Sequence, residues 1–130
     1  MRIAVIGAAG RMGKNLIQAT VDAEGVELGA AIVSPNSSLL CADAGEIAGV
    51  GKLGVGLVSS LADCVADFDV LIDFTTPALT VANAAFCAEH NKAIVIGTTG
   101  LDDEQKSALT AAAEKTQVVF APNMSVGVNL

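Results

Sequence analysis

Gly7, Gly10 and Gly13 stand three residues apart, between the apolar run Ile3-Ala4-Val5-Ile6 and a helical pattern carried by Met12, Leu16, Ile17 and Thr20. The chemistry open to such a stretch is anion binding by bare backbone. Gly7 permits a sharp turn off a strand, where a Cβ would be penalised. Gly10 lets a pyrophosphate approach the main chain, and Gly13 lets the helix pack closely on the sheet. The N–H groups of Arg11 and Met12, backed by the helix dipole, then face the phosphates. Gly7, Ala8, Ala9, Gly10, Arg11 and Met12 therefore form a candidate phosphate loop. The spacing is G-x-x-G-x-x-G, with Ala9 where the commoner pattern has its second glycine. The Arg11 guanidinium could touch a phosphate, stack on an adenine or stay solvated, and the sequence leaves these open.

A second glycine-bounded turn, Gly97-Thr98-Thr99-Gly100, offers two hydroxyls and more bare N–H groups at the end of another apolar run. Asp73 reads as a strand-end carboxylate that accepts N–H bonds from the following turn, in preference to a catalytic group. His90, the sole histidine, falls at a helix C-terminus and reads as a surface residue. No nucleophile–base pair, carboxylate dyad or metal-ligand cluster emerges, so no catalytic residue and no metal site are assigned. Cys41, Cys64 and Cys87 cannot all pair and form no C-x-x-C motif, which suits free thiols in a reducing cytosol. The net charge of −7, with seven scattered Lys and Arg, argues against nucleic acid as a partner. No signal peptide and no membrane-length apolar stretch are read, and a cytoplasmic location is expected.

The elements that position these residues alternate along the chain. A chain of 130 residues, 52% hydrophobic, is the size of one domain with a real core. Strands are expected at Ile3–Ile6, Val26–Val33, Gly51–Val58, Val70–Phe74, Ala93–Ile96 and Gln117–Phe120. Helices are expected from about Gly10, over Leu61–Ala66 behind a capping box at Ser60–Asp63, from Pro77 to about His90, and from a capping box at Asp102–Gln105 to about Lys115. Residues 39–56 read as a loop with at most one helical turn near Asp43–Ile47. On the Pro77 helix, Val81, Ala85 and Phe86 read as the buried side. Alternating strands and helices imply a Rossmann-like, doubly wound α/β fold: a mostly parallel sheet with helices on both faces. In such sheets ligands bind at the carboxyl ends of the strands. Gly7–Met12, Ser34–Ser38, Phe74–Pro77, Gly97–Gly100 and Ala121–Ser125 lie at that edge. Val33 and Ser34 hold the place where an acidic residue usually grips the adenine ribose.

Together, VIGAAGRMG (Val5–Gly13), SSLLCADAGEIAG (Ser37–Gly49), DVLIDFTTP (Asp69–Pro77), VIGTTG (Val95–Gly100) and APNMSVGVN (Ala121–Asn129) are far more specific than one glycine motif. Over its whole length the chain resembles the dihydrodipicolinate reductase family, also called 4-hydroxy-tetrahydrodipicolinate reductase. The resemblance implies an oxidoreductase that uses NADH or NADPH to reduce a cyclic, unsaturated dicarboxylate imine in diaminopimelate and lysine biosynthesis. It implies that Gly7–Met12 hold the pyrophosphate, that Ser34 lies at the adenosine end, and that Gly97, Thr98, Thr99, Ala121, Pro122, Asn123 and Met124 lie along the nicotinamide. Family members often carry an acidic residue at Val33 and arginines at Ser34 and Thr76, and this chain has none of the three. The family's enzymes are about twice as long. The resemblance therefore implies that residues 1–130 are the NAD(P)-binding domain. The catalytic and substrate segments, the small dicarboxylate's binding and the homotetramer would belong to a second domain absent here. Two alternatives are an aspartate- or homoserine-type dehydrogenase and a CoA-binding module without chemistry.

Overall fold

The computed structural model describes residues 1–8, 10–98 and 100–120, with Phe120 described by its backbone only. Of the candidate site residues, Ala9, Thr99, Ala121, Pro122, Asn123 and Met124 lie outside this set. The chain divides into two compact units, Met1–Val70 and Leu71–Leu130.

In the first unit, β1 (Arg2–Ile6) leads to α1 (Arg11–Asp22), then β2 (Glu27–Ile32), the short α2 (Ala44–Ala48), β3 (Leu57–Val58) and a 3-10 segment at Leu61–Asp67. β1 pairs parallel with β2, from Arg2↔Glu27 to Ile6↔Ile32, with one irregularity at Ile3/Ala4, and β2 pairs parallel with β3. Ala4, Val5, Ala30, Ala31 and Ile32 are buried, as strands covered on both faces require. α1 turns Gly13, Leu16, Ile17 and Thr20 inward, and Met12, the other member of the helical pattern, is half-buried. Thr20 satisfies its buried hydroxyl on the Leu16 carbonyl, 2.7 Å away.

The third strand is shorter than expected, and the reason is local. Gly51 and Gly54 adopt φ of +90° and +79°, which a strand excludes. The Asp43 carboxylate takes the N–H groups of Leu53, Gly54 and Val55 that a ladder would otherwise use, and caps α2 through Glu46 N–H. The bond from Leu53, joined by those from Glu46, Gly54 and Val55, outweighs an opposing burial effect and holds the Asp43 carboxyl below its ordinary value of 3.8. A carboxyl depressed in the folded state contributes stability that is present above its unfolded pKa and is lost as pH falls through the folded one. Asp43→Asn is therefore expected to be less stable than the parent at pH 7, with the difference shrinking as pH falls below about 4. Urea midpoints from far-UV circular dichroism at pH 7 and pH 3 check this. Equal midpoints at pH 7 would show that the carboxylate does not hold the turn.

The segment behind Ser60 is a 3-10 stretch broken at Cys64, and no reciprocal capping box forms. Ser60 accepts from Ala62 N–H, two residues on.

The second unit runs β4 (Val70–Asp73, opening at the boundary), α3 (Pro77–Glu89), β5 (Ala93–Ile96), α4 (Asp103–Ala113) and β6 (Val118–Phe120). β5 and β6 pair parallel, Ile94↔Val118 to Ile96↔Phe120. Thr76 caps α3 with Pro77 at its first position, and Asp102 with Gln105 forms the expected capping box of α4, both bonds present. Asn91 in the left-handed region closes the helix end, and exposed His90 rests its ring 4.3 Å from Phe86. The buried side of α3 differs from expectation. It is Thr80, Asn83, Ala84, Cys87 and Ala88, whereas Val81 and Phe86 are half-buried and Ala85 is exposed. The helix is apolar almost all round, so hydrophobicity does not choose its face; polar partners for Thr80 and Asn83 do.

Parallel strand pairs alternating with helices in each unit are those of a Rossmann-like α/β fold. No helix among the described residues is long and apolar enough to cross a membrane.

Candidate nucleotide-binding site

In the first unit, the turn after β1 is pinned from behind. The N–H groups of Gly7 and Ala8 both donate to the Ile32 carbonyl at the end of β2, at 2.9 and 3.0 Å, and Gly10 N–H donates to the Gly7 carbonyl at 3.1 Å. This brings Gly7, Ala8, Gly10, Arg11 and Met12 next to the strand end that leads to Ser34. Ala8 is fully buried, Gly7, Gly10 and Arg11 are exposed, and Met12 is half-buried.

The three glycines serve three different needs. Gly7 has φ +76°, a conformation that favours glycine. At Gly13 an added Cβ would lie 2.1 Å from the Gly7 carbonyl oxygen and 2.7 Å from Ala8 Cα, so the helix can sit on the turn only without a side chain there. Gly10 has an ordinary extended backbone, and among the described residues a Cβ on it would meet only the Gly7 oxygen, at 3.4 Å. Among the described residues, nothing demands a glycine at that position.

α1 also opens without help from side chains. Its N-cap is Gly10, with no side-chain cap and no acidic residue in its first turn. By contrast α2 is capped by Asp43, α3 by Thr76 and α4 by Asp102. Among the described residues no side chain caps the first-turn donors of α1 or the positive end of its dipole, and Arg11 adds a cation beside them.

The loop after β2 is shaped by its own serines. Ser34 Oγ accepts from Asn36 N–H at 3.2 Å, the Ser34 carbonyl accepts from Ser37 N–H at 2.9 Å, and Ser37 Oγ accepts from Leu39 N–H at 3.1 Å. Val33 is buried, whereas Ser34 is exposed. Of the two, Ser34 is the one whose side chain can meet a solute.

In the second unit, Gly97 and Thr98 lie on a turn held by strand and helix. Gly97 N–H donates to the Asp73 carbonyl at 2.8 Å, and the Phe74 ring lies where a Gly97 Cβ would be. Thr98 is expected to offer its hydroxyl, yet its side chain is buried and engaged. Thr98 Oγ1 accepts from Thr75 N–H at 3.0 Å and from Thr80 Oγ1 at 2.7 Å. Thr98 is buried as a whole residue, with 3% of it exposed, so its hydroxyl serves the interior of the turn. Asp73, wholly buried, accepts from Thr75 N–H and hydroxyl and from Asn83 Nδ2. It meets the expectation of a turn-bonding carboxylate, while Phe74, Thr80 and Asn83 were not singled out by sequence. The one available signal was an asparagine within an apolar helical run. Cys87 lies in the same interior, where burial, with the Asp73 charge adding, pushes its thiol to about 12. Among the described residues no three His, Cys, Asp or Glu side chains form a group that could hold a metal ion.

A family model described as dihydrodipicolinate reductase, N-terminus, matches residues 1–124. The chain belongs to that family. This membership sets aside the aspartate- or homoserine-type dehydrogenase and the CoA-binding module. Among curated proteins, 4-hydroxy-tetrahydrodipicolinate reductases from Saccharophagus degradans and Hahella chejuensis are 60% and 59% identical over 99% of the chain. The chain spans 48% of the length of each. Among solved structures, dipicolinate-bound dihydrodipicolinate reductase from Paenisporosarcina sp. TG-14 aligns with a TM-score of 0.76 at 28% identity, covering 98% of this chain and 49% of that one. An amine dehydrogenase from Mycobacterium smegmatis aligns at 0.76 and 23% identity, covering 92% of this chain and 38% of that one, which shows the shared fold.

Proposed function

We propose that this chain is the NAD(P)H-binding domain of a 4-hydroxy-tetrahydrodipicolinate reductase, which reduces a cyclic dicarboxylate imine in the diaminopimelate and lysine route. Family membership supports the reaction class. The observation that carries the binding role is Gly10: an exposed glycine that no contact among the described residues requires, at the start of a helix without a side-chain cap. A bare, donor-rich turn of that kind fits a pyrophosphate.

The residues divide the work along the dinucleotide. Gly7, Ala8, Ala9, Gly10, Arg11 and Met12 hold the pyrophosphate through backbone N–H groups, with the Arg11 guanidinium beside it. Ser34 lies at the adenosine end. Gly97, Thr98, Thr99, Ala121, Pro122, Asn123 and Met124 border the nicotinamide. When bound, the reduced nicotinamide supplies the hydride. The chain's residues bind and orient; the dicarboxylate and the catalytic residues belong to a second domain, which also builds a homotetramer. The enzyme works in the cytoplasm, on small molecules, with neither nucleic acid nor membrane as partner.

The adenosine end allows a test of cofactor choice. A carboxylate after β2 would accept both ribose hydroxyls of NADH and repel the 2′-phosphate of NADPH; an arginine would attract that phosphate. Ser34 does neither strongly. Both cofactors are expected to bind, with NADPH equal or favoured by no more than ~1.4 kcal/mol, about tenfold. Ser34→Arg should raise NADPH affinity selectively, and Ser34→Asp should shift the ratio toward NADH. Ser34 is the position to vary, because an acid at buried Val33 would place a charge in the core. Dissociation constants for both cofactors on the three proteins check this. A ratio unmoved by either substitution would place the 2′ position away from Ser34.

A further inference from the structure

The buried polar cluster under the Gly97–Thr98 turn is more than strand-to-helix packing needs. Asp73 is completely buried, and burying a carboxylate costs more than burying an apolar residue of like size. It takes three neutral donors: Thr75 N–H at 2.9 Å, Thr75 Oγ1 at 2.6 Å and Asn83 Nδ2 at 3.0 Å. Thr75 N–H is shared, reaching Thr98 Oγ1 as well at 3.0 Å. Thr80 of α3 donates to that same oxygen at 2.7 Å. The Asp73 carbonyl holds Gly97 N–H, and the Phe74 ring closes over Gly97. One strand-end carboxylate thus fixes Thr75, and Thr75 with Thr80 fixes Thr98. All five polar residues lie within the second unit.

We infer that Asp73 is a positioning residue for the nicotinamide half of the dinucleotide: through Thr75 and Thr98 it sets the Gly97–Thr98 turn, which borders the ring. This rests on the proposed function above. Asp73 touches neither cofactor nor substrate. Its acceptor-only oxygens orient the Thr75 donors, which an apolar residue could not do. A turn displaced by about an ångström would lose its fit to a planar ring, while the pyrophosphate and adenosine contacts, made by other residues, would stay.

The test separates the two halves of the ligand. ADP-ribose, which lacks the nicotinamide, is titrated by calorimetry. NADH is titrated by the emission of its reduced nicotinamide, which the chain's lack of Trp and Tyr leaves unobscured. Asp73→Ala is expected to bind ADP-ribose within about threefold of the parent, to bind NADH about tenfold more weakly, and to lose the bound-state emission change. Asp73→Asn, which keeps an oxygen for Thr75, should restore both NADH readouts. Thr80→Val, which removes only the hydroxyl donated to Thr98, should weaken NADH without touching ADP-ribose, and it carries the test if Asp73→Ala does not fold. Unchanged NADH affinity and emission in a folded Asp73→Ala, or in Thr80→Val when Asp73→Ala does not fold, would overturn the inference. So would equal losses for ADP-ribose and NADH. A parent chain that binds neither ligand would overturn the proposed function and this inference with it.

Discussion

Gly13→Ala is expected to destabilise the chain by about 3 kcal/mol, the upper end for forcing a methyl into a packed site. The new Cβ would lie 2.1 Å from the Gly7 carbonyl oxygen, 2.7 Å from Ala8 Cα and 2.8 Å from the Gly7 carbonyl carbon. All three are backbone atoms, so no rotamer change relieves the clash. Either α1 lifts off the turn or the turn leaves β2. Lifting α1 exposes Leu16 and Ile17, and moving the turn breaks the two bonds from Gly7 and Ala8 to the Ile32 carbonyl. Alanine's better helix propensity returns only about 1 kcal/mol. Urea unfolding followed by far-UV circular dichroism is the check, since the chain has no Trp or Tyr to report by fluorescence. Gly10→Ala is the matched control, expected within about 1 kcal/mol of the parent. If the two variants were equally stable, the helix would not be seated on the turn as described.

Gly10→Val is expected to have the opposite profile: little change in fold and a large loss of ligand. Its φ of −77° and ψ of 170° are extended values that a β-branched residue adopts readily. Among the described residues the nearest atom to a Cβ is the Gly7 oxygen at 3.4 Å, so the isopropyl group fills space that these residues leave open. That space lies at the start of α1, where the phosphates would approach the N–H groups. Dinucleotide affinity should fall at least about 100-fold, ~2.7 kcal/mol, with a cost to stability of about 1 kcal/mol from the poorer N-cap. Calorimetric titration of parent and variant, with circular dichroism to show that both are folded, decides it. A variant that binds as tightly as the parent would remove Gly10 from the site.

These two glycines show what sequence could and could not reveal. The strand, turn and helix of residues 1–22 were legible because apolar run, glycine spacing and helical period agree there. The motif assigns Gly13 to close packing, and the structure supplies the measure of it: a Cβ at Gly13 would lie 2.1 Å from the Gly7 oxygen, whereas one at Gly10 would lie 3.4 Å from it. The strand expected over 51–58 shrank to Leu57–Val58 because Asp43, far back in sequence, claims the N–H groups of residues 53–55. A helical turn near Asp43–Ile47 was legible, but the reach of the Asp43 carboxylate across to residues 53–55 had no local signal. The buried side of α3 was misread for a related reason. In a helix with few polar residues, Asp73 and Thr98 select Asn83 and Thr80 as the inner face, and apolar periodicity is silent about that. Thr98 itself looked like a hydroxyl for a ligand and proved to be a buried acceptor, a distinction set by two donors outside its own turn.

The central claim is that the Gly7–Gly10–Gly13 turn gives this chain a nicotinamide dinucleotide site. Titration of the chain with NADH and with NADPH in a calorimeter tests it most directly. The account predicts saturable heat with both, at one ligand per chain, with dissociation constants no more than about tenfold apart. A chain shown to be folded that gives no saturable heat with either cofactor would contradict it.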